Sequence, residues 1–424
     1  MLKLQILQDL QRVVKELEFP TTDIVISIPQ NSSFGDYTTN LALQLAKLDS
    51  RKPRHSSLEI ANEILSHLGH LSYLGNLEIK GGGFINFFIK DEILLKNLSK
   101  MSNLQKSKTL NQKIMVEFAH PNTHKAFHIG HLRNISVGES VVRLLGAAGF
   151  EVIRANYEGD VGMHIAKAVY ALLRMSPFKE EVKQVQGIHE RVEFLGRAYA
   201  AGSKAFEEDK EVQKTIKDIN FLVYAAAQRF QQEKGVESSS TDYLKFVEGR
   251  TEEVDEVFEL WKETRQWSLD YFETIYKRVY THFDRYYFES ECLSGADIAK
   301  EAIKRSILKE NEGAVIFDGK EYGLDTRVFI NSLGLPTYEA KELALAQKEL
   351  SEFGDLSKVI HVVGPEQSSF FKVTFKVEEL LDPEKFKDKQ YHLVYGWVRL
   401  KEGKMSSRTG DVVLGEWLLD EAKR

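Results

Sequence analysis

The sequence predicts an α/β protein in which a doubly wound parallel sheet is split by a helical insertion and preceded by a small α+β domain. Three observations predict this fold. Short apolar runs alternate with helical patterns in the second part of the chain, as in sheets whose parallel strands are joined by helices. Residues 165 to 283 carry long helical patterns and almost no strand signal. Residues 1 to 108 instead mix helical patterns with strands joined by a tight turn.

The predicted N-terminal α+β domain covers residues 1 to 108. Gly81, Gly82 and Gly83 supply a turn between two of its strands. The polar stretch Ser102–Gln112 is predicted to be a linker to the next domain. The predicted helices are residues 1 to 17, 40 to 48 and 60 to 68, and the predicted strands are residues 23 to 28, 77 to 79 and 84 to 89.

The second predicted domain, residues 113 to 403, begins with a strand, a helix and a strand at residues 114 to 118, 129 to 148 and 152 to 155. This order forms a βαβ unit, whose strands are parallel and whose crossover is right-handed. Further strands are predicted at 314 to 317, 328 to 330, 359 to 363 and 393 to 398, with helices at 338 to 350 and 370 to 380. The pattern is typical of a Rossmann-type sheet. The insertion is predicted to bury an apolar stripe of Val254, Val257, Phe258, Trp261, Phe272, Ile275 and Val279.

Composition excludes several classes of protein. The chain is 42% hydrophobic and 28% charged, which is the balance of a soluble globular protein. It contains no uncharged apolar run of the roughly 18 residues that a membrane span needs, so we expect no membrane association. Its single cysteine, Cys292, excludes an intramolecular disulfide and a zinc site built from cysteines. We therefore expect a cytoplasmic protein.

The net charge of −6 does not by itself indicate a nucleic-acid partner. Phosphate contacts need local clusters of Lys and Arg rather than a basic total, so an RNA partner stays open. The candidate patches are Arg51–Arg54 and Lys277–Arg285. Each patch alone is more often a solvated charged face.

The loop from Ala119 to His128 follows the first strand of the parallel sheet and leads into a helix. Free backbone N–H groups and the helix dipole make such a helix start an anion site. His128 and His131 flank Ile129 and Gly130, so both rings fall on the first turn and can face one ligand. Gly130 has no side chain, which lets a flat adenine lie against the backbone.

The same histidines also allow a metal site. His120, His124, His128 and His131 are spaced four, four and three apart, as ligands on a helix would be. Pro121 interrupts a continuous helix through all four, and neither Asp nor Glu lies among them. We therefore expect no zinc.

Two short motifs carry a family resemblance. Residues 128 to 131 read HIGH and residues 404 to 407 read KMSS, and they resemble the two signatures of class I aminoacyl-tRNA synthetases in order and separation. Nucleotidyltransferases share an HxGH element, but they are usually small single domains. The flanking residues resemble arginyl-tRNA synthetase over essentially the whole chain. They are residues 34 to 37, Asn40, 45 to 47, 83 to 86, 116 to 118, Pro121, Asn122, 128 to 134, 156 to 162, 336 to 338, Val363, Gly364 and 404 to 410.

The resemblance implies an arginine pocket built from two carboxylates, a tyrosine, an asparagine and a glutamine: Glu117, Glu342, Tyr338, Asn122 and Gln367. A carboxylate binds the planar guanidinium through two parallel hydrogen bonds, so Glu117 and Glu342 would clamp it. Tyr338 and Glu342 are four residues apart on one helical face. The family more often has Asp where this chain has Glu342.

The resemblance also implies the reaction. L-Arginine would attack the α-phosphate of ATP, with Mg²⁺ carried in by ATP, and the arginyl group would pass to tRNA(Arg). His128, Gly130 and His131 would bind ATP together with Lys404, Met405, Ser406 and Ser407, and Lys404 and Ser406 would also take part in catalysis. Ser407 stands where the signature usually has its second lysine, and Lys125 would supply the missing charge.

Further expectations concern the rest of the chain. By resemblance, the N-terminal domain would contact the core of the tRNA and the protein would be a monomer. Residues 404 to 424 would hold the signature loop and the start of a helical C-terminal region that continues as the anticodon-binding domain in the family. We expect that domain to be missing here. One alternative is a synthetase-like protein that binds RNA or senses arginine without catalysis.

Overall fold

The computed structural model describes residues 2–48, 55–102, 112–236, 242–396 and 415–424. The chain divides into two units, Met1–Gln105 and Lys106–Arg424. The predicted linker falls almost entirely outside the described residues, as does the basic patch at residues 51 to 54. The predicted domain boundaries therefore stay predictions.

The first unit contains a four-stranded antiparallel sheet in the order β1-β2-β4-β3. Alternate residues of β4, Ile85, Phe87 and Ile89, pack with the apolar faces of the first three helices in one core. The elements are α1 (Leu2–Glu16), β1 (Ile26–Ser27), β2 (Tyr37–Thr39), α2 (Leu41–Leu48), α3 (Ser57–Leu68), β3 (Leu74–Lys80), β4 (Phe84–Ile89) and α4 (Asp91–Ser102).

Three elements of this unit differ from the sequence prediction. The strand predicted at residues 23 to 28 has only two residues, β1, and neither β2 nor α4 is predicted. A strand of two or three residues gives too little alternation of polar and apolar residues for a sequence pattern to detect.

The second unit contains β5 (Lys113–Glu117), α5 (Ile129–Ala148), β6 (Glu151–Glu158), α6 (Met163–Arg174), α7 (Phe178–Glu181), α8 (Ile188–Glu208), α9 (Lys210–Glu233), α10 (Thr251–Arg278), β7 (Arg285–Phe288), α11 (Gly295–Lys304), β8 (Lys309–Asn311), β9 (Ala314–Phe317), β10 (Arg327–Ile330), α12 (Tyr338–Phe353), β11 (Leu356–Val363), α13 (Ser368–Leu381), α14 (Pro383–Phe386), β12 (Gln390–Val394) and α15 (Gly415–Lys423). Among the described residues, none of the helices is both long and apolar enough to cross a membrane.

Five parallel strands form the central sheet in the order β12-β11-β5-β6-β7. The predicted fold class is thereby confirmed. From β5 the chain builds the sheet in one direction through β6 and β7, and later in the other direction through β11 and β12. The order therefore reverses between β5 and β11. In such sheets the crevice beyond the carboxyl ends of the strands at the reversal is the preferred ligand site.

Two predicted strands belong to a different sheet. β9 and β10 occupy nearly the predicted positions, but they form an antiparallel sheet with β8 in the order β10-β9-β8. Their connection, residues 318 to 326, is too short for the crossover that a parallel pair needs. The fifth strand of the parallel sheet is instead β7, a short aromatic segment that was not predicted and that pairs with β6.

The helical insertion is formed by α6 to α10, between β6 and β7. Most of the predicted stripe on α10 is buried, with Val257, Phe258 and Trp261 in one core and Phe272 and Ile275 in another. The other two members, Val254 and Val279, are only partly buried. α10 therefore packs against other helices of the insertion through the first core, and against α5 and the strands β5 and β11 through the second. Arg285, the last residue of the predicted basic patch Lys277–Arg285, lies at the start of β7. It forms ion pairs with Glu291 and Glu352, so this part of the patch stabilises the fold.

Candidate active site

The loop between β5 and α5 is held in an unusual backbone conformation. Ala119, His120 and His124 have positive φ angles of 82°, 50° and 61°. Such residues cost on the order of 1–3 kcal/mol each and persist only where the surroundings fix them. Here Asn134 Oδ1 accepts a hydrogen bond from the Ala119 N–H at 2.7 Å, and Asn156 Oδ1 accepts one from the His120 N–H at 3.1 Å. The loop is thus fixed at the switch point of the sheet.

His128 and His131 begin α5 and form a reciprocal cap. Nδ1 of His128 accepts a hydrogen bond from the Gly130 N–H at 3.0 Å, and Nδ1 of His131 accepts one from the His128 N–H at 3.1 Å. The two rings stack with their centroids 3.9 Å apart. Because Nδ1 accepts in both rings, each neutral ring carries its proton on Nε2. The pair therefore offers two Nε2–H donors at a helix N-terminus.

The surroundings keep these two rings neutral. Burial lowers the pKa of His128, and the charge of Lys125 lowers it further. Burial likewise lowers the pKa of His131, with His128 and Lys125 adding to the effect. The Lys125 ammonium itself lies 5.2 Å from the ring centroid of Tyr199. The predicted loop residues therefore form one group of neutral donors beside a cation.

His124 and His120 do not join this pair. His124 is fully buried, with Nδ1 3.0 Å from the Thr123 hydroxyl and Nε2 2.7 Å from the Thr264 hydroxyl. His120 Nδ1 lies 3.8 Å from Glu117 Oε1. Within the described residues, no group of three or more His, Cys, Asp or Glu side chains could hold a metal ion.

The two predicted pocket carboxylates, Glu117 and Glu342, both lie beside the buried side chain of His361. His361 Nδ1 lies 3.0 Å from Glu117 Oε1 and 3.8 Å from Glu342 Oε1. Burial would raise the pKa of Glu117, but the charge and hydrogen bond of His361 hold it below its ordinary value. Burial raises the pKa of Glu342 to about 8. The carboxyl groups of Glu117 and Glu342 thus share one site and differ in protonation.

The other predicted pocket residues lie at the same carboxyl edge of the sheet. Asn122 forms an isolated parallel bridge with Gly159, which follows β6. Tyr338 begins α12, four residues before Glu342, and its side chain is exposed. Gln367 ends the 3-10 helix that follows β11, and it is also exposed. Glu117 and Glu342 meet at His361, and the remaining three lie at the ends of neighbouring elements.

Sequence reasoning missed several buried charged residues of this site. Lys341 and Glu289 form a buried ion pair, and the Lys341 ammonium lies 4.6 Å from the Tyr338 ring centroid. Lys341 stands between two predicted pocket residues on α12, and no sequence pattern marked it. His361 did leave a signal, since it is a histidine inside the apolar strand segment 359 to 363.

The second signature lies outside the described residues, and with it the predicted ATP contacts Lys404, Met405, Ser406 and Ser407. The chain that follows it returns to the first signature. The Gly415 N–H, at the start of α15, donates to the Phe127 carbonyl at 3.0 Å. Phe127 directly precedes His128, so the start of α15 lies beside the first signature.

Comparison with known families identifies the relatives of this fold and site. The family model described as tRNA synthetases class I (R), catalytic domain, matches residues 93–424. The chain belongs to this class I arginyl-tRNA synthetase family. A second model, described as the arginyl tRNA synthetase N terminal domain, matches residues 1–89. The resemblance inferred from the two signatures is thereby confirmed.

Individual members of the family match along most of the chain. The arginine–tRNA ligase of Fusobacterium nucleatum is 29% identical over 420 residues, which is 97% of this chain and 66% of that protein. The arginine–tRNA ligase of Borreliella afzelii is 30% identical over 421 residues, or 96% of this chain and 65% of that protein. The chain thus spans slightly less than two thirds of the length of these relatives.

Solved structures of synthetases share the fold. The arginyl-tRNA synthetase of Thermus thermophilus matches with a TM-score of 0.60 at 21% identity, covering 100% of this chain and 70% of that one. The Plasmodium falciparum arginyl-tRNA synthetase matches with a TM-score of 0.62 at 18% identity, covering 94% of this chain and 65% of that one. At these identities the likeness concerns the fold alone.

Proposed function

We propose that the chain activates L-arginine with ATP to arginyl-adenylate and transfers the arginyl group to the 3′ end of tRNA(Arg). The observation that carries this proposal is the meeting of Glu117 and Glu342 at the switch point of the sheet, in a chain of this family. Two buried carboxyl groups from different elements suit a guanidinium, which donates through two parallel pairs of N–H groups.

Arginine would be recognised by its side chain and by its amino acid group. Glu342 and Tyr338 share one face of α12, so a guanidinium bound to the carboxylate would also reach the ring or hydroxyl of the tyrosine. Asn122 and Gln367 would bind the amino and carboxylate groups. A lysine side chain cannot satisfy the same planar set of acceptors, so discrimination against lysine of a few kcal/mol follows.

In the first step a carboxylate oxygen of arginine attacks the α-phosphorus of ATP, and the bond to the bridging oxygen of pyrophosphate breaks. Negative charge gathers on the phosphate oxygens, so catalysis depends on positioning and electrostatic stabilisation. The Nε2–H groups of His128 and His131 would donate to these oxygens. Lys125 would add a positive charge where Ser407 has none, and Mg²⁺ would arrive with ATP.

In the second step a hydroxyl of the terminal ribose of tRNA attacks the carbonyl carbon of the adenylate, and AMP leaves. Lys404, Met405, Ser406 and Ser407 complete the proposed ATP site, with Lys404 and Ser406 in catalysis. We further infer that the first unit contacts the core of the tRNA. The cytoplasmic location and the monomeric state stay predictions.

ATP–pyrophosphate exchange tests the proposal directly. The assay is run with each amino acid in turn, with and without tRNA(Arg). We expect exchange with arginine and with no other amino acid, and by resemblance only when tRNA is present. Exchange with a different amino acid would contradict the proposal that arginine is the substrate. If no amino acid supports exchange, the result would favour a protein that binds arginine or RNA without catalysis.

A further inference from the structure

The His361 side chain is completely buried, and several other titratable side chains surround it. Its ring is fixed by the rings of Phe371 and Phe375, whose centroids lie 5.0 Å and 5.4 Å away. The titratable and polar groups around it come from β5, the following loop, α12, α13 and β12. They are Glu117, His120, Glu342, Glu349, Glu378, Gln390 and His392.

Both ring nitrogens of His361 face oxygen atoms. Nδ1 lies 3.0 Å from Oε1 of Glu117, and Nε2 lies 2.8 Å from Oε1 of Gln390. An ionised carboxylate cannot donate a hydrogen bond, so Nδ1 carries a proton. Burial alone would lower the pKa of His361, but the charges of Glu117 and Glu342 raise it to about 9. The ring is therefore an imidazolium at neutral pH.

One imidazolium can balance only one of the carboxylates. Glu117 is the direct cross-strand partner of His361, and it is the nearer carboxylate. Burial raises the pKa of Glu342 to about 8, and it raises the pKa of Glu349 and of Glu378 well above the ordinary value of a carboxyl group. His361 therefore determines that Glu117 is the ionised member of the group.

We propose that His361 is a positioning residue of the arginine site, which orients the ionised Glu117 carboxylate and allows Glu342 to ionise when a guanidinium binds. The proposal rests on the proposed function and deepens it. A guanidinium needs an ionised partner, and ionising Glu342 in buried surroundings is costly. The imidazolium, 3.8 Å from Glu342 Oε1, reduces that cost.

The charge of His361 also repels the guanidinium, so its net effect depends on pH. Near neutral pH the gain from an ionised Glu117 outweighs the repulsion, because without the imidazolium burial would raise the pKa of both carboxyl groups. Each proton that must leave weakens binding by about tenfold for each unit by which the pKa exceeds the pH. Above the pKa of about 9 the ring is neutral, and this advantage disappears.

Equilibrium dialysis with radiolabelled L-arginine tests this at about pH 7 and about pH 9.5, on either side of the His361 pKa. His361→Asn can donate to Glu117 from nearly the position of Nδ1, but it carries no charge. His361→Leu loses both the donor and the charge. At the lower pH we expect Kd to rise by about tenfold or more for His361→Leu, and by less for His361→Asn. At the higher pH we expect His361→Asn to match the unsubstituted protein within about twofold.

The matched control is His392→Asn, a histidine beside His361 on β12 whose Nε2 faces the Val363 carbonyl at 3.0 Å. It should leave Kd unchanged at both pH values. If His361→Leu does not fold, the comparison of His361→Asn with the unsubstituted protein decides alone. The same ratio of Kd values at both pH values would mean that His361 only packs, and would overturn the inference. Failure of the unsubstituted protein to bind arginine would overturn the proposed function instead.

Discussion

Arg265 and Asp160 form a buried ion pair in which Nε lies 2.8 Å from Oδ2 and the side chains are 6% and 0% exposed. The same carboxylate accepts hydrogen bonds from the Ser290 N–H at 2.8 Å and the Ser290 hydroxyl at 2.7 Å. Arg265 belongs to α10 of the insertion, Asp160 follows β6, and Ser290 follows β7. This pair therefore joins the helical insertion to the carboxyl edge of the sheet that carries the proposed site.

Replacing Arg265 by Leu should destabilise the second unit strongly. The substitution leaves the Asp160 carboxylate buried without its cation, and breaking a buried pair in this way typically costs about 3–5 kcal/mol. Thermal unfolding followed by circular dichroism should show a melting temperature lower by several degrees. Lys214→Met is the control, because Lys214 pairs with Glu211 on the exposed surface of α9. If Arg265→Leu is as stable as Lys214→Met, the buried ion pair of Arg265 and Asp160 does not stabilise the second unit.

His128 caps α5 through Nδ1 and is proposed to donate to phosphate through Nε2–H, and the substitution His128→Asn should separate these two roles. Asn is a favoured N-cap and can accept the Gly130 N–H, so the stability of α5 should hardly change. It lacks the Nε2–H donor, whose loss from a transition-state site typically lowers kcat by about 10²–10³. ATP–pyrophosphate exchange measures the loss, with the exposed His282→Asn as the control. An unchanged kcat would exclude His128 from the stabilisation of phosphate charge.

Replacing Gly159 by Ala should displace Asn122. A Cβ at residue 159 would overlap the Asn122 side-chain oxygen and press on Glu289 Oε1. Overpacking of this kind typically costs about 1–3 kcal/mol. We expect the KM for arginine to rise about tenfold or more, with a smaller effect on the KM for ATP. Gly196→Ala, on α8, meets no atom within 4 Å and serves as the control. If Gly159→Ala and Gly196→Ala have the same KM for arginine, Asn122 does not take part in binding arginine.

The sequence predicts local elements better than it predicts their partners. α5 has the predicted bounds, because its capping histidines and its terminal glycine, Gly149, are local signals. β9 and β10 also lie near the predicted positions, but they pair with each other and form an antiparallel sheet with β8 rather than joining the parallel sheet. A run of apolar residues predicts a strand but not the strands with which it pairs. The short connection between β9 and β10 makes these two strands antiparallel neighbours.

The same limit applies to the candidate site. His128 and His131 are close in sequence, so their shared turn could be predicted. Glu117 and His361 are separated by 244 residues and meet only because β5 and β11 pair in register. Lys341 and Glu289 meet through the packing of α12 beside the end of β7. Contacts that depend on tertiary packing leave no periodic or motif signal in the sequence.

The affinity for arginine should depend on pH through Glu342. Burial raises the pKa of this carboxyl group to about 8, so it is protonated in the free protein at neutral pH. A bound guanidinium favours the ionised form, so binding near pH 7 should release close to one proton. The Kd for arginine should therefore fall as pH rises toward about 8, by up to about tenfold per pH unit, and should level off above it.

Calorimetric titrations in two buffers with different ionisation enthalpies would count the released proton. Glu342→Gln is the matched variant, since it keeps the size of the side chain and cannot ionise. We expect it to bind arginine more weakly and to lose the proton release and the pH dependence below about pH 8 together. If the unsubstituted protein binds arginine with the same Kd from about pH 6 to about pH 8 and releases no proton, Glu342 is not the carboxylate that receives the guanidinium. In that case Glu117, already ionised by His361, would be the remaining anionic partner of the predicted pair.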